Sequence, residues 1–255
     1  MKQLLRAIGF LTVLPVPASA SGERHEFGRC AVWFPFVGAI IGAFLLGLHY
    51  LASWLFPNAP ALASVITVAG WAWITGGLHL DGLADCCDGL FAAVSRERRL
   101  EIMRDPRMGV FGGLGLVLFL FAKVAAVASL HGTIAYIDRV HLPFALLYAP
   151  VMARYTCLFV AKQPAARPGG MGDAFAQHID GSAFLMGALL PIGLIFLDSN
   201  PVRAAIAMAA AHVVTLLVIL FARKRLGGMT GDVLGLSVEV SELAVLMVYA
   251  ARMSF

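Results

Sequence analysis

Three aspartates dominate the chemistry this sequence can do. Asp81, Asp85 and Asp88 lie in the run Thr75-Gly-Gly-Leu-His-Leu-Asp-Gly-Leu-Ala-Asp-Cys-Cys-Asp-Gly89, at positions i, i+4 and i+7. On a helix that spacing puts them within about a 60° arc, one above another. Carboxylates stacked this way repel each other, and a hard divalent cation such as Mg²⁺ is the partner that oxygen ligands of this kind suit. Gly82 and Gly89 leave room for a phosphate or a neighbouring helix to come close. The plainer reading is a solvated helix end with scattered acids. The chain is sparing with charge, only 13% Asp, Glu, Lys and Arg, which argues against it.

A second group is Gly227-Gly-Met-Thr-Gly-Asp-Val-Leu-Gly235, leading into Glu239 and Glu242. Its glycines, Gly228 and Gly231 among them, can turn backbone N–H groups toward an anion. Thr230 can add a hydroxyl and Asp232 a metal ligand. The plainer reading is a flexible turn followed by polar contacts between helices. Glu239 and Glu242 share a helix face inside an apolar stretch, where acids mark a cavity, a partner or a proton path.

Between these groups lies the basic run Arg96–Gly109, in which Arg104 and Arg107 are candidates to hold phosphates and Asp105 to join a metal site. Arg167 with Gly169, Gly170 and Gly172 is a further anion-binding candidate. Lys123 and Arg154 fall inside apolar stretches, where a cation costs about 2.5–3.5 kcal/mol on insertion scales. Each is expected to face a buried acid or an anionic substrate. His79 can bind phosphate or act as an acid–base group, or simply make a structural hydrogen bond. His212 reads as a packing histidine. Acids for a metal, glycines for phosphate and arginines for negative charge are what metal-assisted phosphoryl transfer requires. The sequence shows no Ser/His/Asp set, cysteine nucleophile or dinucleotide fingerprint. Two other readings use some of the same residues. One is a membrane transferase of the CDP-alcohol phosphotransferase or prenyltransferase type. The other is a proton-coupled transporter that uses Lys123, Arg154, Glu239 and Glu242 as a relay.

The elements that position these residues are helices in a bilayer. Of 255 residues, 60% are hydrophobic, against roughly 45–50% apolar and 25% charged in ordinary soluble domains. Lipid is the solvent that accommodates the excess. Candidate spans, at about 20 apolar residues each, are 31–56, 61–80, 108–130, 142–161, 183–197, 204–222 and 233–251. The expected fold is therefore all-α: a polytopic bundle of about seven spans in one integral-membrane domain, 1–255, whose residues 1–30 form an interfacial segment. With the N-terminus inside, the cytoplasmic loops carry fourteen Lys and Arg, and the outer side only three, Arg139, Arg203 and Arg252. Under the positive-inside rule, that places the working loops on the cytoplasmic face. The formal charge of +4 is spent on topology and implies no nucleic acid. Cys30, Cys86, Cys87 and Cys157 have no metal spacing and read as reduced. A homo-oligomer stays open.

Gly76–Gly89 resembles the signature of the cobalamin synthase, or adenosylcobinamide-GDP ribazoletransferase, family. So do Arg104-Asp-Pro-Arg-Met-Gly-Val-Phe-Gly112, the 227–235 motif with Glu239 and Glu242, Phe10–Pro17, and Phe34–Gly42. The likeness runs nearly end to end, with a mild departure at Leu236. It implies a bacterial cytoplasmic (inner) membrane enzyme that takes adenosylcobinamide-GDP and α-ribazole, or α-ribazole 5′-phosphate. The ribazole would attack the cobinamide-side phosphorus and GMP would leave, giving adenosylcobalamin or its phosphate with Mg²⁺ required. Asp81, Asp85 and Asp88 would hold metal, Asp232 would complete the site, and arginines would hold the diphosphate.

Overall fold

The computed structural model describes residues 2–17, 27–130, 143–167, 179 and 181–251. Among the described residues the chain is helical, with a single isolated β-bridge between Ala165 and Met229. Helix α1 (Lys2–Leu11) leads to a short α2 (Phe27–Cys30), which passes through one 3₁₀ turn into α3 (Phe34–Leu55). Then come α4 (Pro60–Ile74), α5 (Leu78–Phe91), α6 (Arg96–Ile102), α7 (Val110–Ser129) and α8 (Phe144–Ala161). The last three are α9 (Gly181–Ile195), α10 (Pro201–Leu226) and α11 (Gly231–Ala250). Arg24, Arg139, Arg252, Gly169, Gly170, Gly172 and the expected start of the fourth span at Leu142 lie outside the described residues.

Among the described residues five helices are long and apolar enough to cross a bilayer: Gly28–Leu55, α7, α8, α10 and α11. The count is six if α4 and α5 form one broken span. The seven expected spans also counted α9, which is apolar but only 15 residues long, about 22 Å at 1.5 Å per residue. The span expected over 61–80 is corrected by the structure. The helix stops at Ile74, and the chain bends by 92° before α5 begins. Gly76 and Gly77 make the bend at φ 61° and 69°, a left-handed conformation that costs a glycine little. Between the second and third expected spans the chain forms two helices, α5, which carries the aspartate stripe as its spacing predicts, and α6.

Helix α8 is the axis of the bundle, with 78% of its span buried, whereas α7 and α10 are 28% buried. The difference tells which helices meet lipid. Val117, Leu118 and Phe121 of α7 and Leu216, Leu217 and Leu220 of α10 stay exposed, as a bilayer allows. Helices α3 and α8 touch backbone to backbone. A Cβ on Gly38 would stand 2.5 Å from the Pro150 carbonyl oxygen, and one on Gly42 2.7 Å from Leu147 Cα. Two glycines four residues apart are the means by which lipid-embedded helices approach this closely. Helix α1 packs its Ala7 and Leu11 inward, and the Val13 amide donates to the Ile74 carbonyl at the end of α4 (2.9 Å).

Candidate active site

After the bend, α5 does not run along the bundle; it crosses the starts of α7 and α11. Its crossing with α11 is made by glycine. A Cβ on Gly82 would lie 2.8 Å from the Asp232 carbonyl oxygen, and one on Gly235 3.1 Å from that of His79. This contact brings together two motifs far apart in the chain, with Asp81 and Asp232 lining one cavity. Asp81 is exposed, while Asp85 and Asp232 are half-buried. Burial, then the charges of Asp232, Asp81 and Asp88, push the Asp85 carboxyl up to about 7. The site as folded is short of positive charge.

The acidic stripe divides. Asp88 Oδ2 accepts from the Gly109 amide (2.7 Å) and Oδ1 from the Gly112 amide (2.8 Å). It therefore caps the first turn of α7, where free N–H groups and the helix dipole favour a carboxylate. The glycines are required there, because a Cβ at either position would stand 2.4 Å from an Asp88 oxygen. Asp81 and Asp85 remain the pair on the Asp232 side.

Basic residues supply part of the missing charge. Arg104, exposed, and Arg167, half-buried, both lie within electrostatic reach of Asp232. An Arg167 Nη2–H donates to the Leu100 carbonyl, and its Nε is buried without a partner. Arg107 points outward and pairs with Asp105, Nη2 to Oδ2 at 2.7 Å; that hydrogen bond holds the Asp105 carboxyl down at about 2. Two other arginines of that run, and Arg225, hold the scaffold. Arg99 donates to Ala92 O (3.2 Å), Arg96 to Ala166 O (3.1 Å), and Arg225 of α10 to Leu90 O (2.9 Å).

The glycine-rich motif also separates into roles. Gly227, at φ 72°, ends α10. Gly228 lies against the segment 164–166, where a Cβ would come within 2.7 Å of backbone. Two hydrogen bonds close that contact, Met229 N to Pro164 O (2.9 Å) and Ala166 N to Met229 O (2.8 Å). Thr230 caps α11, accepting from Val233 N (3.3 Å) and donating to Asp232 Oδ2 (3.1 Å). Of the three anion-binding candidates here, only Gly231 lines the cavity beside the acids, at the start of α11.

Lys123 and Arg154 face acids. Lys123 Nζ donates to Glu239 Oε2 (2.8 Å) and Glu242 Oε2 (2.6 Å) and lies 4.0 Å from the Trp71 ring centroid. Arg154 Nη1 and Trp71 Nε1, the latter at 3.2 Å, donate to Glu242 Oε1. Two cations and two acids balance in charge with all four side chains at most 3% exposed. Of the two expected partners, a buried acid is the one found for each cation. A relay for protons would need access to water that this closed cluster lacks. His212 packs, as expected: Nδ1 bonds to Met208 O at 2.8 Å, and the ring meets Tyr155 and Phe159 edge-on.

The family description of cobalamin-5-phosphate synthase matches residues 3–250 of this chain. Proteins called adenosylcobinamide-GDP ribazoletransferase are similar over nearly their whole length. That of Pseudomonas paraeruginosa is 38% identical, covering 98% of each chain. That of Acetivibrio thermocellus is 34% identical, covering 98% of this chain and 97% of its own. That of Escherichia coli (strain K12 / DH10B) is 35% identical, covering 94% and 96%. The chain belongs to the cobalamin-5-phosphate synthase family. No solved structure shows a significant match to it.

A synthase of this family acting on a diphosphate needs its negative charge met, and the donors present can be tested against a divalent ion. Among the described residues no three of His, Cys, Asp and Glu converge as a ready metal cage. Mg²⁺ is commonly held by one or two carboxylates together with substrate phosphate and water, not by an all-protein cage. An all-oxygen set, with Asp85 strained by like charge, fits an ion that arrives with the diphosphate. Sequence reasoning missed the division of labour within the stripe. The glycines at 109 and 112 carried the only signal of it.

Proposed function

We infer that this chain is the transferase that joins a ribazole to adenosylcobinamide-GDP, releasing GMP. One observation carries the reading at the site. The glycine crossing of α5 and α11 sets Asp81 and Asp85 against Asp232, with Arg104 and Arg167 in electrostatic reach. In the reaction, a ribazole oxygen attacks the cobinamide-side phosphorus. A new P–O bond forms, the P–O bond to GMP breaks with its electron pair leaving on GMP, and the proton of the attacking hydroxyl passes to water. Asp81, Asp85 and Asp232 would hold Mg²⁺, which when bound neutralises the diphosphate and stabilises charge on the leaving oxygen. Arg104 and Arg167 clamp non-bridging oxygens, and the free amides at the start of α11 favour an anion there. Asp88 keeps α5 seated on α7, so that the carboxylates do not drift. The remaining anion candidate, Arg107, can reach phosphate only by giving up Asp105.

The experiment is an assay of purified protein in lipid vesicles. Adenosylcobinamide-GDP and α-ribazole 5′-phosphate should yield GMP and the joined corrinoid in equal amounts, and chelator should stop both. GMP without the joined product would mean hydrolysis and overturn the transfer. Chelator-insensitive turnover would overturn the metal.

This multi-pass chain works, in the same reading, in the bacterial cytoplasmic membrane with its site facing the cytoplasm. The excess of Lys and Arg on one set of loops supports that orientation. A reporter fused after Arg225 should read cytoplasmic; an external reading would invert the assignment.

A further inference from the structure

Most of the cations around α5, α6 and the end of α10 are engaged within the chain. Arg98 pairs with Glu101 and Arg107 with Asp105, each at 2.7 Å. Arg96, Arg99 and Arg225 donate to the backbone carbonyls of Ala166, Ala92 and Leu90. Arg223 and Lys224, exposed in the last turn of α10, differ. Arg223 donates to the Gln163 side-chain oxygen, and among the described residues neither cation has a carboxylate partner.

The depth of this pair follows from α10 itself. Val213, Leu216, Leu217 and Leu220 are 53–58% exposed and recur at helical spacing, so they form one lipid-facing stripe. Arg223 and Lys224 continue that stripe at i+3 and i+4 from Leu220. At 1.5 Å per residue they stand about 5–6 Å beyond that leucine. A bilayer about 40–45 Å thick with a hydrocarbon core of about 30 Å leaves a headgroup layer of about 5–8 Å on each side. The two cations are therefore level with lipid phosphates. Below them the surface is bare and apolar. Phe91, at the end of α5, is 58% exposed and packs on Phe221, with ring centroids 5.9 Å apart. Phe221 precedes Lys224 by three residues, which places the rings on the same face of the helix.

We propose that the last turn of α10 is a binding site for an anionic phospholipid. Arg223 and Lys224 take its phosphate, and Phe91 and Phe221 lie against the upper part of an acyl chain. The chemistry of the patch selects this occupant. Two cations without carboxylates at headgroup depth attract a headgroup of net negative charge, and they repel the ammonium of a zwitterionic one. A purely apolar partner would leave both charges unmet, and a soluble anion would leave both rings bare. The site is separate from the carboxylates of α5 and α11, and its occupation requires no turnover.

The test is native mass spectrometry of the full chain in detergent, offered phosphatidylglycerol and phosphatidylcholine with identical acyl chains at equal concentration. A basic residue near the membrane surface strengthens attraction to an acidic lipid by about fivefold. The wild type should therefore retain phosphatidylglycerol over phosphatidylcholine by about 10- to 30-fold. Lys224→Gln should lower that preference by about fivefold, and Arg223→Gln with Lys224→Gln should bring it close to one. Arg98→Gln removes one cation of the same face that is already paired, and it should leave the preference within twofold of the wild type. A wild type that holds the two lipids equally overturns the proposal, and so does a double variant that still prefers phosphatidylglycerol. An Arg98→Gln loss as large as that of Lys224→Gln would mean attraction to net charge without a site. Displacement of the lipid by inorganic phosphate at the same concentration would mean a soluble-anion site, and would overturn the lipid assignment. Both substituted side chains are exposed; if the double variant fails to fold, the wild-type ratio and Lys224→Gln still decide.

Discussion

Asp85→Asn should abolish transfer, lowering kcat by about a thousandfold or more, and leave the bundle folded. A thousandfold is about 4 kcal/mol at 1.36 kcal/mol per decade, within what metal-held charge stabilisation supplies. Asparagine keeps the shape of the side chain and removes the charge on which the site converges. The same change should not cost stability. In the folded chain the Asp85 carboxyl is pushed up to about 7 from its ordinary 3.8, because burial and then Asp232, Asp81 and Asp88 disfavour its ionised form. An acid whose folded pKa is raised binds its proton more tightly when folded. It therefore withdraws stability as pH rises between the two values. Without added cation, at pH 8, the thermal midpoint of Asp85→Asn should equal or exceed that of the wild type. A variant that loses activity only because it unfolds would show a lower midpoint, and the site assignment would lose its support. Sites that carry chemistry are often locally unfavourable in this way.

Glu242→Gln should have the largest effect on folding. Glu242 is fully buried and receives Lys123, Arg154 and Trp71 together. With glutamine there, Lys123 and Arg154 share only Glu239, and a positive charge is left uncompensated among apolar helices. Breaking a buried pair by removing one partner costs about 3–5 kcal/mol. The measurement is the fraction of monodisperse protein recovered in detergent, with its thermal midpoint. Adding Lys123→Met to Glu242→Gln restores neutrality and should recover much of the loss. A double variant worse than the single would mean that Lys123 contributes more than charge balance, and a substrate role for it would reopen.

Much of this architecture is legible in the sequence. Apolar runs locate the helices because only a helix satisfies its own backbone in lipid, and the two acidic motifs are prominent against so apolar a chain. The bend after Ile74 is harder to read. Hydropathy continues through it to Leu80, and only the pair Gly76-Gly77 marks it. The stripe of Asp81, Asp85 and Asp88 is correctly a stripe. Which neighbour each carboxylate meets depends on where α7 and α11 begin, however, and no local pattern fixes that. Asp88 belongs to the stripe by spacing, yet its partners are the amides of Gly109 and Gly112. Gly228 has the same lesson: its need for glycine comes from the close approach of residues 164–166, a contact between segments more than sixty residues apart. The pairing of Lys123 with Glu239 and Glu242 spans 116 and 119 positions. Energetics demanded a partner for the cation, and only the fold could name it.

The mechanism turns on the joining of α5 and α11 into one site. It is tested most directly by a double-mutant cycle on kcat/KM for GMP release, using Asp85→Asn, Asp232→Asn and the pair. Groups that hold one ion fail together, so the second substitution should add almost nothing to the first. The double variant should be no slower than the slower single. Losses that multiply would show that the two aspartates act independently, and would contradict the shared site.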